Sequence, residues 1–180
     1  MRKDAGVDGD AQRISQMVWM LFMKIFADKE EEWSITIADY ESPIPEALKW
    51  QNWAADEEGL TGDALMEFID KELFPTLQNL DITVSPQARI IRSVFDDTYN
   101  YMKNGTLFRQ VVNQINFIDF NSSTDRHLFN DLYETILKEL QSAGSSGEYY
   151  TPRAVTQFMV DIVDPQVYET VLDPACGTGG

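Results

Sequence analysis

Asp173-Pro174-Ala175-Cys176-Gly177-Thr178-Gly179-Gly180 closes the sequence, and Thr170-Val171-Leu172 just before it reads as a buried strand. Gly177, Gly179 and Gly180 lack a Cβ, which permits a tight turn where backbone comes close to a ligand. A strand, a Gly-rich turn and a helix beyond it open a nucleotide- or cofactor-binding α/β fold. The expectation is that the sequence ends inside that opening, with the rest of the site beyond Gly180.

The chemistry of the turn narrows the ligand. Phosphate sites present backbone amides and want no fixed negative charge beside them. Asp173 stands at the strand end, where the ligand would lie; a carboxylate there repels a pyrophosphate and favours a cation. S-adenosylmethionine carries a positive amino group and a positive sulfonium. Gly177-Thr178-Gly179-Gly180 does not follow the dinucleotide spacing Gly-x-Gly-x-x-Gly as far as it can be read, and its spacing excludes a Walker-type phosphate loop. A nicotinamide-dependent enzyme is disfavoured by Asp173. Cys176 reads as a small filler of the turn, since no activating base lies near it in sequence.

Working back from the turn, Asp164-Pro165 ends a helix that Thr151-Pro152 begins, with Val155, Phe158, Met159, Ile162 and Val163 on its apolar face. Gln141-Ser142-Ala143-Gly144-Ser145-Ser146-Gly147 is small and polar, the clearest shift of composition in the chain. It sets the expected boundary between a helical domain, 1–143, and the start of an α/β domain, 144–180.

The upstream stretch reads as helical. Residues 1–9 are expected to fray. Asp10 is read as the cap of a helix with apolar Ile14, Met17, Val18, Leu21, Phe22, Ile25 and Phe26. Trp19, Met20 and Met23 lie on its other side, so the helix is either central to the core or covered by a partner. Lys29-Glu30-Glu31-Glu32 is read as its solvated end. Ile35-Thr36-Ile37 is read as a short strand, and Trp33, Tyr40, Trp50 and Trp53 as an aromatic loop packed over the helices. Leu65, Phe68, Ile69, Leu73, Phe74 and Leu77 are helical in spacing, with Pro75 expected to break or kink that helix. Ser85-Pro86 caps the next, which carries Ile90, Ile91, Val94, Phe95 and Tyr99. Asn104-Gly105 is read as ending it and Thr106 as capping a helix with Leu107, Val111, Ile115 and Ile118. Ser123 or Thr124 caps a further one with Leu128, Leu132, Ile136, Leu137 and Leu140.

Composition bounds the function. The 180 residues are 43% hydrophobic and 12% aromatic, enough for one full core or two small ones. A single cysteine excludes an internal disulfide and fits a reducing cytoplasm. The longest apolar run, Met17 to Met23, is far too short to span a membrane, and the beginning lacks a signal-peptide pattern. Net charge is −16, from 14 basic and 30 acidic residues. This disfavours a surface that grips nucleic acid and leaves open an acidic face that docks on a basic partner. Arg89, Arg92, Lys103 and Arg109 are the only concentrated basic residues; a DNA-backbone contact and ordinary surface charge both fit them. His127, the only histidine, has no second ligand at metal-binding spacing, so no metal site is expected.

Gly147-Glu148-Tyr149-Tyr150-Thr151-Pro152-Arg153, paired with the Asp-Pro-Ala-Cys-Gly-Thr-Gly-Gly stretch about twenty residues on, closely resembles the modification subunit of type I restriction-modification systems. These are adenine-specific DNA methyltransferases whose cofactor motifs precede the catalytic one. The upstream region, with its Trp19 helix and Pro43-Ile44-Pro45 loop, also resembles the family's N-terminal helical domain. The resemblance therefore covers the chain but only the first part of the family's length. It implies a mainly α fold: a helical bundle followed by the first helix and strand of a Rossmann-like methyltransferase domain using S-adenosyl-L-methionine.

The resemblance further implies that Glu148, Tyr149, Tyr150, Thr151, Pro152 and Arg153 form one wall of the cofactor pocket. Asp173 would face the cofactor's amino group, and Gly177, Thr178, Gly179 and Gly180 would wrap its methionyl and ribose region. It implies double-stranded DNA, a specificity subunit and a restriction subunit as partners, in a cytoplasmic protein without a membrane anchor or a metal. The family's catalytic motif is Asn/Asp-Pro-Pro-aromatic, which holds an adenine flipped from the duplex. The sequence has no Pro-Pro, and Asp164-Pro165-Gln166-Val167 is only a superficial echo, so no catalytic residue is assigned. The chain alone is expected to be inactive and to bind cofactor weakly or not at all. A second class remains open from the residues: a self-sufficient acidic helical adaptor whose glycines are only a tail.

Overall fold

The computed structural model describes residues 1–122, 151 and 153–175. The chain divides into two compact units, Met1–Asp131 and Leu132–Gly180.

The first unit is helical in its described part. Helix α1 (Gly9–Thr36) runs through its middle. A 3-10 turn (Glu46–Leu48) leads into the short α2 (Trp50–Trp53). Helix α3 (Gly62–Phe68), a π-helical turn (Ile69–Leu73) and α4 (Phe74–Gln78) follow without a break. Helices α5 (Pro86–Phe95) and α6 (Gly105–Asn116) complete it.

Helix α1 is the central core helix that its nearly all-round apolar pattern allows. Trp19, Met20 and Met23 are at most 1% exposed, while Met17, Phe22 and Ile25 pack partly buried against the same core. Aromatic rings close around it: Trp19 meets Phe74 at 5.0 Å and Phe108 at 5.7 Å between centroids, and Phe74 meets Phe95 at 5.2 Å. The first and last of these cross steeply, the geometry that sets a ring's positive edge against a negative face. The Trp-rich stretch packs down as expected: Trp50 and Trp53 are buried and meet at 5.1 Å, and Ile44 of the Pro-Ile-Pro loop is buried beside them in the core.

Several local readings change. Ile35 and Thr36 are not a strand but the last residues of α1, with Ile37 as its C-cap. Lys29 to Glu32 are therefore inside a helix and not at its end, and Glu30 is buried, where it accepts a hydrogen bond from the Tyr40 hydroxyl at 2.8 Å. The helix begins one residue before Asp10, and its N-cap position is Asp8. Residues 1–9 do not fray: Asp4 and Val7 are buried and turn hydrogen bonds wind this segment onto the domain.

Pro75 does not end the helix it sits in. The Phe74 N–H bonds back to Ile69, five residues earlier. The wider π turn lies directly before the proline, whose ring crowds the preceding turn of a regular α-helix and whose missing N–H leaves a carbonyl unpaired. Ser85 caps α5 as read, its Oγ accepting from Ala88 N–H at 3.1 Å, with Pro86 in the first turn. For α6 the cap is Asn104 and not Thr106: Asn104 Oδ1 accepts from the N–H groups of Thr106 and Leu107, each at 3.0 Å. Gly105 then starts that helix against another backbone. A Cβ on it would lie 1.9 Å from the carbonyl oxygen of Gly62, which opens α3 at φ +58.

In the second unit the described part contains helix α7 (Arg153–Val163). It ends at Asp164, in the left-handed region at φ 45, before Pro165. The apolar face read from the sequence is present but open: Phe158 is 62% and Ile162 69% exposed. Residues 170–172 are not a strand here, and no strand occurs among the described residues. A strand needs a neighbour for its ladder, and none is described in this unit.

Candidate cofactor-binding site

The described part of the site is the segment from α7 to Ala175. Thr151 precedes α7 and Arg153 is its first residue. The Asp164-Pro165 corner turns the chain, and Gln166 is held there by two hydrogen bonds. Its N–H donates to Glu169 Oε2 at 3.0 Å, and its side-chain amide donates to Asp164 O at 2.8 Å.

Asp173 lies exposed beyond that loop. Its Oδ1 accepts the Ala175 N–H at 2.9 Å, closing a small turn over Pro174. That bond orients the exposed carboxylate at the end of the 164–173 segment. Proline at 174 stiffens the same turn. Among the expected site residues the structure describes Thr151, Arg153 and Asp173. Glu148, Tyr149, Tyr150, Pro152, Gly177, Thr178, Gly179 and Gly180 lie outside the described residues. Cys176, His127, the 141–147 segment and the helix from Ser123 or Thr124 lie outside them too.

The basic residues of the first unit separate into different roles. Arg109 is buried, and its guanidinium donates to four backbone carbonyls: Trp53 (2.8 Å), Ala54 (3.1 Å), Asp56 (3.1 Å) and Leu60 (2.8 Å). Burial pulls its pKa below the usual guanidinium value, against the opposing charge of Asp56. It is therefore a clamp on the 53–60 loop and not a surface cation. Arg92 is half-buried, with its guanidinium at 3.5 Å from Leu80 O. Arg89 and Lys103 are exposed.

Two buried polar groups that pattern reading passed over organise the same end of the domain. Asp4 accepts from the N–H groups of Gly6 (2.9 Å), Lys103 (3.0 Å) and Asn104 (3.0 Å). Burial pushes its carboxyl pKa up, but these bonds, with the nearby positive chain terminus, outweigh that and hold it below the ordinary value. Gln16, inside α1, accepts from Tyr101 N–H at 2.7 Å and donates to Asn100 Oδ1 at 3.1 Å. Apart from Gly6, these partners lie some 84 to 100 residues away in sequence, beyond any local signal. Among the described residues no group of three or more His, Cys, Asp or Glu could hold a metal, and no helix is long and apolar enough to cross a membrane.

Comparison with known proteins gives consistent matches. Residues 1–115 match the model of the HsdM N-terminal domain, and residues 124–180 that of N-6 DNA methylase. The EcoEI methylase subunit of a type I restriction enzyme from Escherichia coli is 59% identical over all of this chain, which spans 37% of that relative. The StySJI methylase subunit from Salmonella typhimurium is 25% identical over 99% of the chain and 31% of its own length. Among solved structures, a modification subunit from Vibrio vulnificus YJ016 superposes with a TM-score of 0.83 at 42% identity, covering all of this chain and 41% of that one. A second, solved in a study of assembly and conformational transition of the type I R-M system, gives 0.81 at 32% identity, over 98% of this chain and 35% of its own.

Proposed function

The chain belongs to the family of type I restriction-modification methylase subunits, and from that premise we propose that it is the N-terminal part of an adenine-specific DNA methyltransferase. The intact protein transfers a methyl group from S-adenosyl-L-methionine to the 6-amino group of adenine. Residues 1–143 form the helical domain that meets DNA or a partner subunit, and 144–180 begin the methyltransferase domain. The observation that carries this is the adjacency of two matches, a helical-domain family over 1–115 and an N-6 DNA methylase family over 124–180.

The chemistry of the visible site agrees. Asp173 Oδ2 would take the amino group of the cofactor, with Thr151 and Arg153 at the start of the helix that walls the methionine end. Glu148, Tyr149, Tyr150 and Pro152 complete that wall, and Gly177, Thr178, Gly179 and Gly180 bring backbone close to the methionyl and ribose region. The cofactor supplies the electrophilic methyl group. The exposed apolar face of α7, with Val171 and Leu172, suits the sheet and helices that the remaining length of the longer relatives would add. A specificity subunit that reads the target and a restriction subunit complete the assembly, in the cytoplasm.

The test is methyl transfer by the intact subunit with its specificity partner, using labelled S-adenosylmethionine and DNA carrying the target. Asp173→Ala should weaken cofactor binding by ten-fold or more by calorimetry, the scale of a lost charge-assisted hydrogen bond of about 1.5–3 kcal/mol. Transfer of label to cytosine, or full cofactor affinity in the variant, would refute the reading.

A further inference from the structure

Among the described residues, seven of the eleven cations of the first unit have a partner. Lys24 pairs with Asp28, Lys29 with Glu32, Lys49 with Glu46 and Lys71 with Glu67. Arg109 is buried on carbonyls, Arg92 reaches Leu80 O, and Arg13 also has a partner. Among the described residues, Arg2, Lys3, Arg89 and Lys103 have side chains that make no such contact, and all of them are exposed.

Three of these four are brought together by the fold, although two lie about a hundred residues from the third. Asp4 holds the backbone N–H of Lys103, and a Cβ on Gly6 would touch the Lys103 side chain at Cγ, 2.6 Å away. Arg2 and Lys3 are within two residues of Asp4, in a turn closed by the Asp4 N–H on Met1 O at 2.9 Å. The one acid among them, Asp4, is buried and turned inward onto backbone N–H groups. Asp8, four residues further on, is exposed, as is Asp63 next to Gly62, whose carbonyl faces Gly105.

We infer that Arg2, Lys3 and Lys103 form a phosphate-contacting patch of the helical domain, which grips the backbone of the DNA duplex. In a chain of net charge −16, an outward cluster of unpaired cations opposes the prevailing repulsion at one place, where a polyanion can approach. Each long side chain reaches a phosphate without reading sequence. The choice of DNA rests on the function proposed above.

The experiment measures DNA affinity of the intact subunit assembled with its specificity partner, by anisotropy between 50 and 200 mM salt. The variants are R2Q/K3Q/K103Q, Lys103→Gln alone, and Arg89→Gln as an exposed cation elsewhere. Each phosphate contact contributes about 0.9 to the slope of log affinity against log salt. Loss of three should flatten the slope by about 2.7, so that wild-type affinity falls about 40-fold more than the triple variant's across this range. Lys103→Gln should flatten it by about 0.9, and Arg89→Gln should leave it unchanged. An unchanged slope in a triple variant that melts and assembles normally overturns the patch. So does an unchanged DNA slope with loss of the specificity partner, which would make the surface a protein contact. A wild-type complex that binds no DNA at any salt overturns the enzymatic reading and the patch with it.

Discussion

Arg109 offers the sharpest test of the fold, because two readings of the same residue predict opposite results. As a surface cation it would contribute little to stability, within about 0.5 kcal/mol. The structure makes it the fork that holds the 53–60 loop, through the carbonyls of Trp53, Ala54, Asp56 and Leu60. Arg109→Met keeps much of the volume and strands those carbonyls. A hydrogen bond to a charged group contributes about 1.5–3 kcal/mol, but the loop can recover some water and the bonds are not additive. Loss of the whole set should therefore cost about 3–5 kcal/mol, the range for removing one side of a buried charged contact. That is a large share of the roughly 5–15 kcal/mol of a folded domain. Arg109→Lys, with a point charge and no fork, should recover part of the loss. The assay is urea denaturation of the chain followed by tryptophan fluorescence, since Trp50 and Trp53 sit at this loop. A midpoint for Arg109→Met within about 1 kcal/mol of wild type would refute the clamp.

Three further changes probe the same end. Gly105→Ala should destabilise by about 2–3 kcal/mol in the same denaturation, because its Cβ would lie 1.9 Å from Gly62 O and two helix starts must part. Gly62→Ala, at φ +58 with nothing within 4 Å of its Cβ, should cost only the left-handed backbone penalty of about 1–2 kcal/mol, and the reverse ranking would count against the contact. Asp4→Asn should destabilise by about 1–3 kcal/mol near neutral pH. Because the folded pKa of Asp4 is lowered, its contribution is present above its unfolded value near pH 4 and is lost as pH falls through the lowered folded value. The gap between wild type and variant should hold from pH 7 to 5 and close in stronger acid; a gap that widened on acidification would reverse the sign.

What the sequence makes legible follows from the range of each interaction. Apolar spacing identifies α1 and α5, and Ser85-Pro86 marks a real cap because a cap acts on residues three positions away. Pro75, read as a break or a kink, does not break the helix, because the wider turn from Ile69 to Leu73 directly before it accommodates the proline. Ile35-Thr36-Ile37 misleads in another way. Its β-branched residues favour a strand locally, yet the helix running up to Thr36, whose C-cap N–H at Ile37 bonds to Trp33 O at 2.8 Å, overrides propensity. At the site, Asp173 is legible as a carboxylate before glycines, and its turn onto Ala175 is as local as a cap. The proposed cofactor wall from Glu148 to Arg153 rests on resemblance alone, since two tyrosines before a Thr-Pro pair have no chemistry of their own that names a cofactor.

Charge is the hardest feature to read from sequence, for a physical reason. Arg89, Arg92, Lys103 and Arg109 look alike in sequence because formal charge is independent of environment. Folding assigns each a different fate by what it brings near. Arg109 meets carbonyls 49 to 56 residues away and goes inside. Lys103 meets Asp4 through its backbone N–H, and its side chain stays exposed. Asp28 works the same way from α1: its carboxylate accepts the Phe120 N–H at 3.0 Å and its carbonyl accepts from Asn121 at 2.8 Å. The aromatic core fixes the helices, and buried polar groups on them fix the irregular segments between. A strongly acidic composition thus conceals two populations of charge, one turned inward as structure and one left exposed. Only the second bears on what the protein binds.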